Sequence, residues 1–427
     1  GTIGLMNLFM YNSLLWLSSP FLKAHLKSRA AQGKEDPNRI YERYGEPSRV
    51  RPTGELIWIH AASVGEAMSG LPLIEALLAR KEDRFVLLTT GTVSSANLMQ
   101  ERLPTGAFHQ YVPIDTKEAV ASFLNYWRPQ VAIWMESEIW PNLINQTSIR
   151  NIPMMMLNAR MTTSSFNMWR KTGGLAKKLI RKFSYIHAQS EIAADRLKYL
   201  GAENVEVLGN LKFCSPPLPF RKEPFQVLRN LTANRKMWLA ASTHKGEEAF
   251  IAAAHIDMRG KVKGLLTIIV PRHPDRGDEI MAKLNQAGFS VARRSSGDQI
   301  TPETEIYLAD TIGELGIFYR LVDVVFIGGS LVKKGGQNPL ESARLHCAIM
   351  HGPDMSNFEE IVKDMHENNA AVQVNDGSEL IHTTYKLMSE IRLRTDLAGR
   401  ANQVVKTGEA LLGHLAKQVD KEIAGAG

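Results

Sequence analysis

Short apolar runs recur along this chain, each followed by a small polar turn and then by a stretch with helical spacing. The first series is Leu56–His60, Phe85–Thr89, Val131–Met135, Met154–Leu157, Tyr185–Ala188 and Val205–Leu208. Continuous apolar strands alternating with helices predict a parallel sheet buried on both faces. Pro216-Pro217-Leu218-Pro219 interrupts the pattern and predicts a linker over 215–223. The alternation then restarts with Met237–Ala241, Leu266–Val270, Val291–Arg293, Ile306–Leu308, Val324–Ile327 and Ala348–Met350, and from Ser378 onward the pattern is helical. The fold expected is therefore α/β, with two doubly wound domains at 31–214 and 224–427 whose parallel sheets face a central cleft. Open α/β sheets bind ligands at the C-terminal ends of their strands.

The first 22 residues carry no charged side chain, include Leu5, Met6, Leu8, Phe9, Trp16 and Phe21, and are followed by Lys23, Lys27 and Arg29. Residues 1–30 read as a membrane-anchoring or membrane-surface helix with a cytoplasmic basic flank. A buried amphipathic core helix is the alternative.

The 427 residues carry a net charge of +7, which favours an anionic partner. Dispersed basic residues, with no helix-turn-helix, zinc-finger or RNP pattern, argue against nucleic acid. Two cysteines, Cys214 and Cys347, imply no disulfide framework and a reducing, cytosol-facing location. No Cys/His cluster has zinc spacing, so no metal is expected.

Candidate chemistry sits after the strands. His60-Ala61-Ala62-Ser63-Val64-Gly65-Glu66 places an acid on a tight strand-to-helix turn, where it could serve as a general base. The same spacing fits a capping box of Ser63 and Glu66. Glu136-Ser137-Glu138 follows the third strand, and alternation points both acids to one side if the strand continues. Such a pair could bind a metal, act as acid and base, or orient a sugar hydroxyl, and it also fits a solvated helix entry before Trp140-Pro141. Lys212, in Gly209-Asn210-Leu211-Lys212-Phe213, could neutralise an anionic transition state or be a surface residue.

In the second domain, Ser242-Thr243-His244 forms a polar turn between strand and helix whose amides could hold a phosphate. Pro271-Arg272-His273-Pro274 sets an arginine between prolines, suited to gripping phosphate, while His273 also fits a structural turn. Gly313-Glu314-Leu315, Gly328-Gly329 and Gly335-Gly336 permit close backbone approach. Asn338-Pro339-Leu340-Glu341 supplies a helix cap and an acid able to accept from ribose hydroxyls.

Taken together, His60 to Glu66, Glu136 to Asn142, Gly209 to Phe213, Pro271 to Pro274, Gly313 to Leu315 and Asn338 to Glu341 resemble the 3-deoxy-D-manno-oct-2-ulosonic acid (Kdo) transferase family of Gram-negative bacteria, over nearly the whole chain. The resemblance implies a GT-B fold, attachment to the cytoplasmic side of the cell inner membrane, and transfer of Kdo from CMP-Kdo to a phosphorylated lipid A precursor, with no cofactor. It implies an acceptor-binding first domain and a CMP-Kdo-binding second domain. Glu66 matches the family's catalytic base, and Glu136 and Lys212 match its transition-state-stabilising positions. Pro271, Arg272, Gly313, Glu314, Leu315, Asn338, Pro339, Leu340 and Glu341 match its CMP-binding segments. One departure is Cys214, where the family commonly carries Asp after Asn-Leu-Lys-Phe. The rival readings are a GT-B transferase or epimerase with a UDP donor and, further off, a non-catalytic protein binding anionic lipid.

Overall fold

The computed structural model describes residues 8–136, 138–172, 174–214 and 218–426. Leu5 and Met6 of the apolar run, Ser137 between the two acids, and Pro216 and Pro217 of the expected linker lie outside the described residues. The chain divides into two compact units, one built from the segment up to Cys214 together with that from Gly408 onward, the other running between them through Thr407.

Each unit is organised by one seven-stranded sheet in which every pairing is parallel. The first sheet comprises β1 (Glu55–His60), β2 (Arg84–Thr90), β3 (Ala107–Tyr111), β4 (Val131–Met135), β5 (Met154–Ala159), β6 (Tyr185–Ala188) and β7 (Val205–Val207), in spatial order 3-2-1-4-5-6-7. The second comprises β8 (Lys236–Thr243), β9 (Leu265–Pro271), β10 (Val291–Arg293), β11 (Ile306–Leu308), β12 (Val324–Ile327), β13 (Ala348–His351) and β14 (Val372–Gln373), in order 10-11-9-8-12-13-14. Both sheets are doubly wound, and the chain changes winding direction between β1 and β4 and again between β8 and β12.

Two strands escape the apolar pattern. In β3, polar His109 and Gln110 break the run, yet Gln110 is buried because its side chain accepts the Ser48 N–H and donates to Glu46 O. β14 is two residues at a sheet edge, too short to carry a period. The helix Lys222–Leu231 also begins inside the expected linker.

Alternation along the strands separates the first unit's core into two layers. Leu56 and Trp58 face one layer, where the Trp58 ring lies 4.9 Å from Phe123 and 5.1 Å from Trp134. Ile57 and Ile59 face the other, which also receives Leu411, Leu415, Ala416 and Val419 from the final helix, Ile391–Gly425. Residues 408–427 are thus not part of the second domain, as the linear pattern suggests. Apolar burial ties them to the first sheet, and Asp420 closes the edge with ion pairs to Arg84 (2.7 Å) and Arg80 (2.6 Å).

The N-terminal segment forms a helix, Leu8–Ala31, in which Leu26 alone is fully buried while Phe9, Trp16 and Phe21 are each more than 70% exposed (79%, 76% and 74%). A buried core helix is therefore excluded. No helix among the described residues is long and apolar enough to cross a membrane. Polar contacts hold this helix on the first unit: Tyr11 donates to Asp115 at 2.8 Å, and Asn142 Nδ2 donates to Asn12 Oδ1 at 2.7 Å.

Leu415 is fully buried against the first sheet, so Leu415→Ala should cost about 2–4 kcal/mol. The check is the urea unfolding midpoint, and an unchanged midpoint would show that the returning helix does not stabilise the unit.

Candidate active site

At the winding reversal of the first sheet, His60 ends β1 directly opposite Trp134 of β4. The turn after β1 and the turn after β4 are thus brought together by the hydrogen-bond register. After β1 the chain enters a helix, Val64–Leu78, capped by Ser63, whose hydroxyl accepts the Glu66 N–H at 3.3 Å. One half of the capping box is therefore real. The other half is displaced: Glu66 Oε2 accepts the Ala62 N–H at 2.6 Å, which bends the carboxylate back over the strand end. Burial pushes the Glu66 carboxyl up to about 7, with the nearby Glu136 and Glu138 charges adding to it and the Ala62 N–H opposing it.

The strand β4 stops at Met135, so the two acids do not alternate along it. Glu136 is buried and sits in the left-handed region at φ +62°, its N–H donating to Leu157 O at 3.0 Å. A non-glycine residue held there costs of order 1–3 kcal/mol and commonly marks a functional turn. Glu138 turns toward β1, where its Oε2 accepts from His60 Nε2 and from Trp140 Nε1, both at 2.7 Å. Burial would raise Glu138, but His60, Trp140 and the Arg43 charge outweigh it and hold the carboxyl below its usual range. Neither acid lies in the first turn of the following helix, Pro141–Ile149, so the helix-entry reading fails. Among the described residues no group of three or more His, Cys, Asp or Glu side chains is placed to hold a metal ion.

Lys212 lies on a 3-10 turn, Leu211–Phe213, that packs against the helix bearing Glu66. A chain of hydrogen bonds fixes this turn. His187 Nδ1 accepts the Asn158 N–H at 3.0 Å, so its Nε2–H donates to Gly209 O at 2.8 Å. Asn158 Oδ1 accepts the Leu211 N–H at 2.8 Å, and Asn210 Oδ1 accepts the Lys212 N–H at 2.9 Å. Burial lowers His187 to about 4, keeping it neutral in this role. Next to the turn, Cys214 is buried and donates to Gly408 O at 3.0 Å. This position is structural, since a Cβ on Gly408 would lie 2.7 Å from Phe213 O.

The second unit repeats the geometry at its own reversal. β8 continues through Thr243, so Ser242 and Thr243 are strand rather than turn, with Ser242 at φ +59°. The expected amide cradle is already filled: Glu247 Oε1 accepts the N–H of His244 at 2.9 Å and of Gly329 at 2.7 Å, and Oε2 that of Leu331 at 3.2 Å. Gly328 is obligatory, because a Cβ there would lie 2.3 Å from Ser242 O. What remains open is cationic. Pro271 ends β9 and is buried, Arg272 is exposed beyond it, and His244 is held low by burial and then by His273, Lys334, Arg272 and Arg276. The His244 and His273 rings meet edge to face at 5.5 Å.

Gly313 takes φ +77° ahead of the helix Leu315–Leu321. Glu314 is committed to Arg294 (2.7 Å) and Thr311 (2.6 Å), and the Arg294 bond above all pulls it down to about 2. Asn338 Oδ1 accepts the Leu340 N–H at 3.0 Å across a turn, but the N-cap is Pro339, so Asn338 is not the expected helix cap, and the helix, Leu340–Arg344, is only five residues long. Pro339 and Leu340 are buried and Glu341 is half-buried. The sequence missed His60, Asn158, His187, Glu247 and Lys334 as site-shaping residues. Asn158 carried the one usable signal, since an Asn closing a buried strand is the residue type that tolerates a left-handed backbone, here φ +55°.

Residues 38–215 match the family model described as 3-deoxy-D-manno-octulosonic-acid transferase. The chain is 38% identical over 391 residues to a probable mitochondrial 3-deoxy-D-manno-octulosonic acid transferase of Arabidopsis thaliana, covering 89% of this chain and 88% of that one. It is 31% identical over 401 residues to the 3-deoxy-D-manno-octulosonic acid transferase of Haemophilus influenzae, covering 93% and 94%. Among solved structures, the UDP-GlcNAc 2-epimerase of Neisseria meningitidis bound to UDP-GlcNAc overlays with a TM-score of 0.51 at 13% identity, covering 85% of this chain and 100% of that one. At that identity the likeness is one of fold, the GT-B-like pairing of two Rossmann-like units.

Proposed function

This chain belongs to the 3-deoxy-D-manno-octulosonic acid transferase family, a glycosyltransferase family of lipopolysaccharide biosynthesis, and we propose that it transfers Kdo from CMP-Kdo to a hydroxyl of a phosphorylated lipid A precursor with inversion at the anomeric carbon. The observation that carries this reading is Glu66: a carboxylate at the reversal of the first sheet, half-buried, anchored through one oxygen by Ala62 N–H, and raised to about 7.

In this mechanism the acceptor oxygen attacks the anomeric carbon while Glu66 takes its proton, and the bond to the CMP phosphate breaks with its electron pair leaving on that phosphate. One base and one displacement require no glycosyl-enzyme intermediate, and attack opposite the leaving group inverts the centre. Glu136 and Lys212 act on charge developing at the reacting sugar, Lys212 from a turn already fixed before substrate arrives.

Donor binding is assigned to the second unit. Arg272, with Lys334 and His273 around it, supplies positive charge for the phosphate. Ser242, Thr243 and His244 form the floor at the strand end. Gly313, Leu315, Asn338, Pro339, Leu340 and Glu341 shape the nucleoside side through backbone and packing. Glu314 serves by locking its turn to Arg294 rather than by contacting ligand.

We assign the chain to the cytoplasmic face of the inner membrane through its N-terminal helix. Phe9, Trp16 and Phe21 are exposed on it, Lys23 and Lys27 follow, and an open groove of about 870 Å³ runs between this helix and the first unit, lined in part by Leu15, Trp16, Leu22, Lys23, Ile114 and Lys117. An apolar surface flanked by lysines suits an anionic lipid layer.

Mass spectrometry of the products from purified protein, CMP-Kdo and tetraacylated lipid A precursor should show addition of Kdo, whereas UDP-sugars in place of CMP-Kdo should give none. Glu66→Gln should lower the rate by roughly 10²–10⁴-fold while CMP binding, read by calorimetry, is retained. Full activity in that variant contradicts the base assignment.

Trp16→Ser combined with Phe21→Ser should weaken partition onto vesicles containing an anionic phospholipid by about tenfold or more. Unchanged sedimentation with vesicles contradicts the membrane assignment.

A further inference from the structure

We propose that His60 and Glu138 form a positioning pair whose task is to keep an ionised carboxylate within electrostatic reach of Glu66, strengthening Glu66 as a base. The inference rests on the reading of Glu66 as the base, and it goes beyond that reading by assigning work to two side chains that touch no substrate in it.

Trp58 Nε1 has one hydrogen and donates it to Thr89 Oγ1 at 2.9 Å. The Thr89 hydroxyl keeps its own hydrogen, and we assign it to His60 Nδ1, 3.0 Å away. With Nδ1 accepting, the remaining imidazole hydrogen is on Nε2, which donates to Glu138 Oε2 at 2.7 Å. Trp140 Nε1 donates to the same oxygen at 2.7 Å. Two N–H donors on one carboxylate oxygen favour the ionised form, and with them Glu138 is held below its usual range. Trp58 and Thr89 are fully buried and His60 is 1% exposed, so the donor chain is shielded from water as far as the imidazole, while the Glu138 side chain is 33% exposed.

The pair therefore pins a negative charge on the loop after β4. The charged groups acting on Glu66 are Glu136 and Glu138 from that loop, which raise it, and His60 from the end of β1, which opposes them to the extent that it is protonated; Arg43, from the 3-10 turn Ile40–Tyr44, acts on Glu138. Two N–H donors, His60 Nε2 and Trp140 Nε1, favour the ionised form of Glu138. A fixed like charge raises the proton affinity of a neighbouring carboxylate. For Glu66 that is useful, because a base is most effective when its pKa lies near the working pH.

The test is the acid limb of the pH–rate profile. In Glu138→Gln, which keeps the shape and removes the charge, the limb should move to lower pH by roughly 0.5–1 unit. Glu138→Asp, which restores the charge, should return it toward the wild-type position. The midpoint is read on whatever active protein remains, so partial unfolding changes amplitude without moving it. A limb unmoved in Glu138→Gln, with activity merely reduced at all pH values, makes the pair a structural brace and overturns the inference. Glu66→Gln separates the two claims: if its residual activity keeps the wild-type limb, the base reading itself fails. If the limb vanishes there but stays fixed in Glu138→Gln, this inference alone fails.

Discussion

The constraint on which the structure depends is the reversal of winding in a parallel sheet. Between β1 and β4, and again between β8 and β12, the chain departs to opposite sides, so no crossover covers the strand ends. Those ends then open on a crevice lined by short turns. The ladder register fixes what meets there: His60 stands opposite Trp134, and Ile327 opposite Ala241. Glu66, Glu136 and Glu138 are gathered in the first unit, and His244, Arg272 and Gly329 in the second, because the turns that carry them leave neighbouring strand ends at each reversal.

Such turns are expensive to hold, and both units use the same means of holding them. Glu136, Asn158 and Ser242 are all in the left-handed region at or next to a strand's C-terminal end, each at a cost of order 1–3 kcal/mol. Buried hydrogen bonds and dense apolar layers offset that strain. In the first unit, Asn158 uses its side chain to fix the Lys212 turn, and His187 spans from Asn158 to Gly209. In the second, a single buried carboxylate, Glu247, ties three backbone amides from two turns. The final helix contributes at a distance, since Leu415 and Val419 complete the layer beneath Ile57 and Ile59.

Twelve of the fourteen strands among the described residues were legible because buried parallel strands write themselves as unbroken apolar runs. β3 was hidden by His109 and Gln110, whose burial depends on partners far along the chain. The placement of residues 408–427 was hidden for a related reason: an amphipathic helix announces an apolar face but not which sheet it covers. At the site, the residue types after each strand were readable, whereas their bonding was not. The capping box at Ser63 and Glu66 is half formed, and the amides expected to hold phosphate at His244 are occupied by Glu247. Glu314, readable as a ligand-facing acid, is consumed by Arg294. Carboxylates at the entry to a helix look alike in sequence, and only packing decides which one is left over for chemistry.

The central claim is that the first sheet holds Glu66 as a carboxyl group poised near neutrality. The most direct measurement is a pH titration of the side-chain carboxyl carbon by NMR in protein labelled with carbon-13 at glutamate Cδ, the signal assigned by its absence from a Glu66→Gln sample. A midpoint near 7 is the predicted result. A midpoint at the ordinary glutamate value of about 4.3 would contradict it.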